Sequence, residues 1–253
     1  MLAQELIELH SAPREVPSFS ERYESLTPEA GYAAARALHR HRLAQGWKPV
    51  GRKIGFTNRT LWARYGVHEP IWGTVYDRTL LSSQRSSCSV SLAGLVQPRI
   101  EPEICFKLQS APRPGRLLES IEWMAHSIEI VQCRHPGWQV TLSDCTADNG
   151  LHGRLVVGTP IPLSDPERLA RVEARLFRGD ELLDSGTGAN VLGGPLLSLE
   201  HLVSLLARQP EAPPLAAGEI ITTGTLTDAH AVAPGETWRT EVTGFQGLTI
   251  AFS

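Results

Sequence analysis

Two glutamates in the segment "RIEPEICFKL" (residues 99–108) raise the first chemical question. Ile100, Ile104 and Phe106 alternate with Glu101, Glu103 and Cys105, a period of two that reads as a strand with each set on its own face. Glu101 and Glu103 then share a face two residues apart, with Pro102 between them, although like charges so placed repel and proline weakens a ladder away from a sheet edge. A divalent cation removes that repulsion, and hard ions such as Mg2+ prefer carboxylate oxygens in octahedral geometry. A third carboxylate is available in "HSIEIVQCR", where Glu129 sits between Ile128 and Ile130 in a run apolar enough to be buried. A buried carboxylate without a partner is costly and acquires a cation or a proton. Spacing alone leaves two outcomes open, a metal site or three salt bridges to arginines on the sheet surface.

The elements that would position these groups follow from periodicity and turn signals. Residues 1–45 read as helical: Leu2, Leu6 and Leu9 form one stripe, "SAPREVPSFSE" breaks it, and Thr27-Pro28 supplies an N-cap followed by proline at N1. That second helix stops at Gly46. His39 and His41 on it are two residues apart and diverge by about 200°, so both read as surface or packing residues. From Pro49 onward the text is strand and turn, with short helices expected at 117–126 and 198–208 and a hairpin in "LFRGDELL" built on its Gly-Asp turn. The organisation is therefore a helical N-terminal segment, residues 1–48, followed by a β-rich catalytic domain, residues 49–253, with no repeat of fixed period and no low-complexity linker.

Composition excludes several function classes. Lys and Arg total 24 against 27 Asp and Glu, and no polybasic block occurs, so neither nucleic acid nor an anionic membrane surface has electrostatic support. The four cysteines are scattered with no Cys-x-x-Cys, as in a protein with reduced thiols. "MLAQELIELH" carries acids where a secretory leader would be cationic, and no run approaches 18 apolar residues. These features predict a cytoplasmic protein without a membrane span. No loop has the form of a P-loop or dinucleotide fingerprint.

The segments "GRKIGFTN", "RIEPEI", "SIEIV", "DNG", "GTGANVLGGPL" and "GEIITTGT" occur in the order and spacing of the fumarylacetoacetate hydrolase superfamily. Over residues 26–253 the chain resembles, more narrowly, its branch of 2-keto-4-pentenoate hydratases and 4-oxalocrotonate decarboxylases. The resemblance implies an α+β fold, predominantly β, in which curved mixed sheets form a roll with the helical segment attached. It implies a divalent-metal-dependent lyase acting on 2-oxo or 2-hydroxy alkenoic acids, with Mg2+ or Mn2+ on Glu101, Glu103 and Glu129 and a homo-oligomeric assembly. A 2-oxo acid can chelate such an ion, which acts as a Lewis acid and stabilises a dienolate. A hydratase ketonises a 2-hydroxydienoate and adds water at C4; a decarboxylase expels CO2 from a 2-oxo-3-enedioate through a similar dienolate. The resemblance also selects Lys53 as the group that carries a proton or holds negative charge. Its apolar neighbours in "VGRKIGF" are expected to lower its pKa, while Arg52 should point the opposite way. Gly186, Thr187, Gly188, Gly224 and Thr225 are implied at the substrate end, where glycine turns present free N–H groups. Asp148 and Asn149 match a family segment read as structural.

Two departures bear on the branch. Ile71 follows the proline of "EPIWG", where many hydratases are acidic, and is taken to face the substrate; Gln132 and Cys133 replace a commoner Asp-Ser before Arg134. Asp77 and His152 are candidate substitutes in proton delivery, Asp77 as a catalytic group. Alternatives to the hydratase are the decarboxylase, a C–C hydrolase of the broader superfamily, and a non-catalytic binder of metal and keto acid.

Overall fold

The computed structural model describes residues 1–59, 62–83, 86–113 and 115–253. Three helices come first: α1 (Leu2–Ser11), α2 (Phe19–Arg22) and α3 (Pro28–Ala44). The α3 start is the expected one, with Ala30 N–H donating to Thr27 Oγ1 at 3.3 Å and Pro28 in the first turn. Gly46, just past its end, takes φ +79°.

Strands then build two sheets. The larger runs β2 (Ile71–Tyr76), β1 (Pro49–Gly55), β10 (Ile220–Thr222), β5 (Arg99–Leu108), β6 (Ile121–Val131), β7 (His152–Val157) and β3 (Leu80–Ser82), with the two-residue β11 (His230–Ala231) also on β5. The smaller runs β4 (Ser87–Val90), β13 (Thr249–Phe252), β12 (Thr237–Val242), β8 (Glu173–Arg178) and β9 (Glu181–Thr187). Both are mixed: β1–β10, β3–β7 and β4–β13 pair in parallel and the remainder antiparallel. The β8–β9 hairpin turns at Gly179, φ +58°, as its Gly-Asp signal predicts.

One face of the large sheet is sealed twice. Ile104, Phe106, Leu108 and Met124 pack with Leu199, Leu202 and Leu206 of α6 (Pro195–Ala207). Further along, Ile100, Ile128, Ile130 and Val156 meet Leu176, Trp238, Ile250 and Phe252 of the small sheet. Burying two apolar faces against each other leaves the opposite face of β5 and β6 for the glutamates. The stretch Gly188–Ala207, which includes α6, is long and apolar enough in composition to cross a membrane; half of it is buried inside the fold, as a core helix is.

Two features differ from the expectations, and a third shows how β5 accommodates its proline. Residues 117–126 are not a helix: a single 3-10 turn at Leu118–Ser120 leads straight into β6, whose residues are buried on both faces from Met124 onward. A strand buried on both sides loses the period-two alternation that would have marked it. An unexpected helix, α5 (Leu142–Ala147), starts with a capping box between Thr141 and Asp144. The N-terminal helices pack on it: Leu6, Leu9, Phe19 and Ala34 share a core with Ala147. Finally, Pro102 is not on an edge strand. β5 is paired with β6 along its length, but on its other side β10 and β11 leave a gap in the ladder. The Pro102 carbonyl points into that gap and accepts from Leu226 N–H at 2.8 Å, so the missing proline N–H costs no ladder bond.

Candidate metal centre and its cavity

Glu101 faces Glu129 directly across the β5–β6 ladder, and Glu103 lies two residues along the same face. One carboxylate oxygen from each lies within 4.8 Å of the others. At that separation two unit charges repel by roughly 3 kcal/mol in a partly screened protein interior. Glu103 and Glu129 are fully buried.

Each buried carboxylate is held by one oxygen and left open at the other. Glu103 Oε2 accepts from Gly224 N–H at 2.9 Å and from the Thr222 hydroxyl, while its Oε1 has no hydrogen-bond partner. Gly224 reaches this position at φ +101°, with Thr57 packed where a Cβ would be. Glu129 Oε1 pairs with His152 Nδ1 at 2.8 Å, and its Oε2 also lacks a hydrogen bond. His152 Nε2 meets Thr79 Oγ1 at 2.9 Å. Because an ionised carboxylate only accepts, the imidazole proton belongs on Nδ1 and Nε2 accepts from Thr79.

Lys53 completes the cluster. Its Nζ stands 3.3 Å from Glu129 Oε2, an ion pair not aligned as a hydrogen bond. Its stem runs past three glycines: a Cβ built on Gly73 would lie 3.3 Å from Cγ, on Gly150 3.1 Å from Cδ, and on Gly55 3.1 Å from Nζ. Asn149, read as structural, fastens this channel by bonding the Thr74 backbone N–H and carbonyl at 2.8 and 2.9 Å. Asn149, Gly150 and Leu151 all have positive φ, so the "DNG" turn is a short left-handed run held by its surroundings. Asp148 accepts from His10 at 2.8 Å and ion-pairs with Arg134 at 3.0 Å, tying α1 to the same turn. Arg52 points the other way, to Glu219 at 3.0 Å.

The charges shift accordingly. Burial drives the Glu101 carboxyl up to about 7 although Lys53 opposes it, and burial with the two neighbouring carboxylates drives Glu103 well up. Burial also raises Glu129, but Lys53 and His152 outweigh it and hold that carboxyl below the usual range. Lys53 corrects the expectation of a lowered pKa: burial lowers it, yet Glu129, Glu101 and Glu103 together raise it, so it is a firm cation.

A cavity of about 100 Å³ opens on the cluster, lined by Lys53, Glu101, Gly224, Thr225 and Ile71, with Leu151, Val140 and Trp138 as its apolar wall. Ile71 is 2% exposed and borders the cavity. Arg99, which the motif reading passed over, lines the cavity two residues before Glu101 and stacks on Trp138 at 4.2 Å. Its place in the alternation 99, 101, 103 was the available signal. Its side chain makes no hydrogen bond or ion pair among the described residues.

Other expected site residues lie elsewhere. Asp77 is exposed in a turn, accepting from the backbone N–H of Lys48 and Arg78, and does not line the cavity. Gly186, Thr187 and Gly188 do not line the cavity either. Gly186 instead lets the Leu226 carbonyl approach to where its Cβ would be, and Asn190 donates to that carbonyl at 2.8 Å, so this stretch supports the 223–229 loop from behind. Gln132 accepts from Val96 N–H and Cys133 is buried against His135, both outside the lining.

Three carboxylates, two of them with a buried oxygen that accepts no hydrogen bond, and no thiolate among them fit a hard divalent cation. No family model matches the sequence. The chain is 35% identical over 221 residues to a 4-oxalocrotonate decarboxylase of a Pseudomonas species, covering 85% of this chain and 83% of the relative. It is 30% identical over 246 residues to 2-keto-4-pentenoate hydratase 1 of Dechloromonas aromatica (strain RCB), covering 95% and 91%. Among solved structures, 4-oxalocrotonate decarboxylase from Pseudomonas putida G7, complexed with magnesium and adipate, matches with a TM-score of 0.90 at 27% identity, over 100% of this chain and 96% of that one.

Proposed function

The chain belongs to the family of 2-keto-4-pentenoate hydratases and 4-oxalocrotonate decarboxylases, within the fumarylacetoacetate hydrolase superfamily, and we propose that it is a divalent-metal-dependent, hydratase-type lyase of 2-oxo and 2-hydroxy alkenoic acids. The observation that carries this reading is the convergence of Glu101, Glu103 and Glu129 beside the buried cation Lys53. Glu101, Glu103 and Glu129 would hold Mg2+ or Mn2+, which would supply Lewis acidity toward a 2-oxo acid.

The protein's own groups do the rest. Lys53, kept cationic by the glutamates, stands where negative charge develops and can return a proton to the carbon chain. The glycine channel fixes its position and leaves it little rotamer freedom, which lowers the cost of orienting it. Gly224 and Thr222 fix Glu103, and His152 fixes Glu129, so the two ligands are oriented before a cation arrives. Leu151, Val140 and Ile71 exclude bulk water from the distal part of the substrate.

A second reading, CO2 loss from a 2-oxo-3-enedioate, is favoured by Arg99 and Ile71. Arg99 offers an unpaired guanidinium to a second carboxylate, and Ile71 places an apolar wall where a hydratase gains from a polar group. Incubating the Mg2+-loaded protein with a 2-hydroxydienoate, a 2-oxo-3-enedioate and an acylpyruvate, with products identified by NMR, separates the readings. Water addition to the first supports the hydratase, and CO2 release from the second supports the decarboxylase. Cleavage of the acylpyruvate alone would make the protein a C–C hydrolase, and inertness toward all three would make it a binder.

A further inference from the structure

A second cavity, of about 180 Å³, lies on the other side of His152 from the glutamates, between α1, α3 and the start of β7. Its walls carry Arg42, Arg154, His10 and His41, and its inner end is formed by Thr79 and His152. No aspartate or glutamate lines it among the described residues. Arg42 is 7% exposed; its guanidinium packs against the rings of Trp47 and Tyr76 at 4.9 and 4.8 Å and donates to His10 Nδ1 at 3.0 Å. Arg154 is half-buried and donates to two backbone carbonyls, of Gly153 at 2.9 Å and Ala93 at 3.3 Å. Neither arginine has a carboxylate within ion-pair distance among the described residues. The acid of this network, Asp148, is already taken by Arg134 and His10.

Two guanidiniums thus border one partly open cavity close enough to repel each other, with no carboxylate in its lining to offset them, the inverse of the three glutamates next door. A buried charge without a counter-ion is costly, and a planar guanidinium is the side chain best suited to carboxylate or phosphate oxygens. We propose that this cavity binds one small oxyanion, a carboxylate or inorganic phosphate, between Arg42 and Arg154. Its volume admits an anion of a few heavy atoms with a water or two, and is below that of sites for drug-sized ligands. The site does not depend on the lyase reading.

The test is calorimetric titration of the metal-free, full-length chain with sodium phosphate and, separately, sodium acetate. One equivalent of at least one anion should bind, and the tighter of the two identifies the source. Arg154→Met should weaken binding about tenfold or more, the effect of losing one charge-assisted contact. Arg154→Lys, which keeps the charge but loses the planar fork, should fall between that variant and the wild type. Arg99→Met, in the other cavity, should leave the affinity unchanged. Absence of saturable binding for both anions, equal affinity in Arg154→Met, or loss of binding in Arg99→Met would each overturn the assignment.

Discussion

Lys53 Nζ and Glu129 Oε2 stand 3.3 Å apart although their strands, β1 and β6, are separated in the sheet by β10 and β5. Lys53 lies opposite Thr222, the last residue of β10, whose hydroxyl donates to Glu103, so the lysine and the glutamates share one face of the sheet. The contact places a cation inside a ring of three acids. Removing either sign should therefore unbalance the site in opposite directions.

Glu103→Gln removes one negative charge at nearly constant volume and keeps an acceptor for Gly224 N–H. Mn2+ affinity, measured by calorimetry, should fall by at least about tenfold, as loss of a ligand exceeds the usual effect of losing its support. The metal-free variant should melt no lower than the wild type, since like-charge repulsion is relieved. Unchanged Mn2+ affinity would remove Glu103 from the ligand set.

Lys53→Met acts on the other sign. Turnover should drop by about 10²-fold or more, the usual scale of a lost proton-transfer group. Mn2+ affinity should hold or tighten, because a cation that competes for the same carboxylates is gone. Normal kcat with only a raised KM would reduce Lys53 to a substrate-binding residue.

The glycine channel gives a paired test. Gly150 sits at φ +65° with Lys53 Cδ 3.1 Å from its built Cβ, whereas Gly179 at φ +58° has nothing within 4 Å. Alanine at either position costs about 1–3 kcal/mol of backbone strain. Only Gly150→Ala should also lower kcat, because only there does the methyl displace the lysine stem. Equal kcat in the two variants would show that the lysine tolerates displacement.

Ile71→Asp tests the distal wall. A carboxylate beside Lys53 and bordering the cavity should raise hydration of small 2-hydroxydienoates relative to CO2 loss from an enedioate. An unchanged product ratio would take Ile71 out of the branch distinction.

His10 predicts an acid limit to stability. Burial first, then the neighbouring Arg134 and Arg42, depress its pKa to about 4 against the pull of Asp148. The ring stays neutral, donating to Asp148 and accepting from both arginines at 3.0 Å. A depressed histidine pKa means the unfolded chain binds the proton first, so stability falls as pH drops from about 6.5 toward 4. Between pH 7 and 5 the loss is about 2 kcal/mol from this residue. His10→Gln keeps a donor and an acceptor without a titrating group. Its urea midpoint should decline less over that range than the wild type's, and parallel declines would refute the assignment.

How much of the site was legible depended on how local each relation is. Glu101, Glu103 and Arg99 share a face because strand side chains alternate, a property of adjacent residues, and the Thr27 cap is equally local. The strand that carries Glu129 is partly legible, since its apolar run signals burial; its start is masked by the 3-10 turn at Leu118–Ser120 that leads into it, and from Met124 onward burial on both faces erases the alternation. What the chain order could not reveal is which strands become neighbours. Sheet order alone brings His152 and Thr79 behind Glu129, and Thr222 and Gly224 onto Glu103. It also brings Gly73 and Gly150 alongside the Lys53 stem. Asp77 and the Gly186–Gly188 stretch have the right residue types for chemistry and turn out to serve a turn and a loop, because type says nothing about distance from the cluster. The sign of the Lys53 shift was decided the same way. Desolvation can be read from apolar neighbours in sequence, but the three carboxylates that overcome it reach the lysine only across a folded sheet.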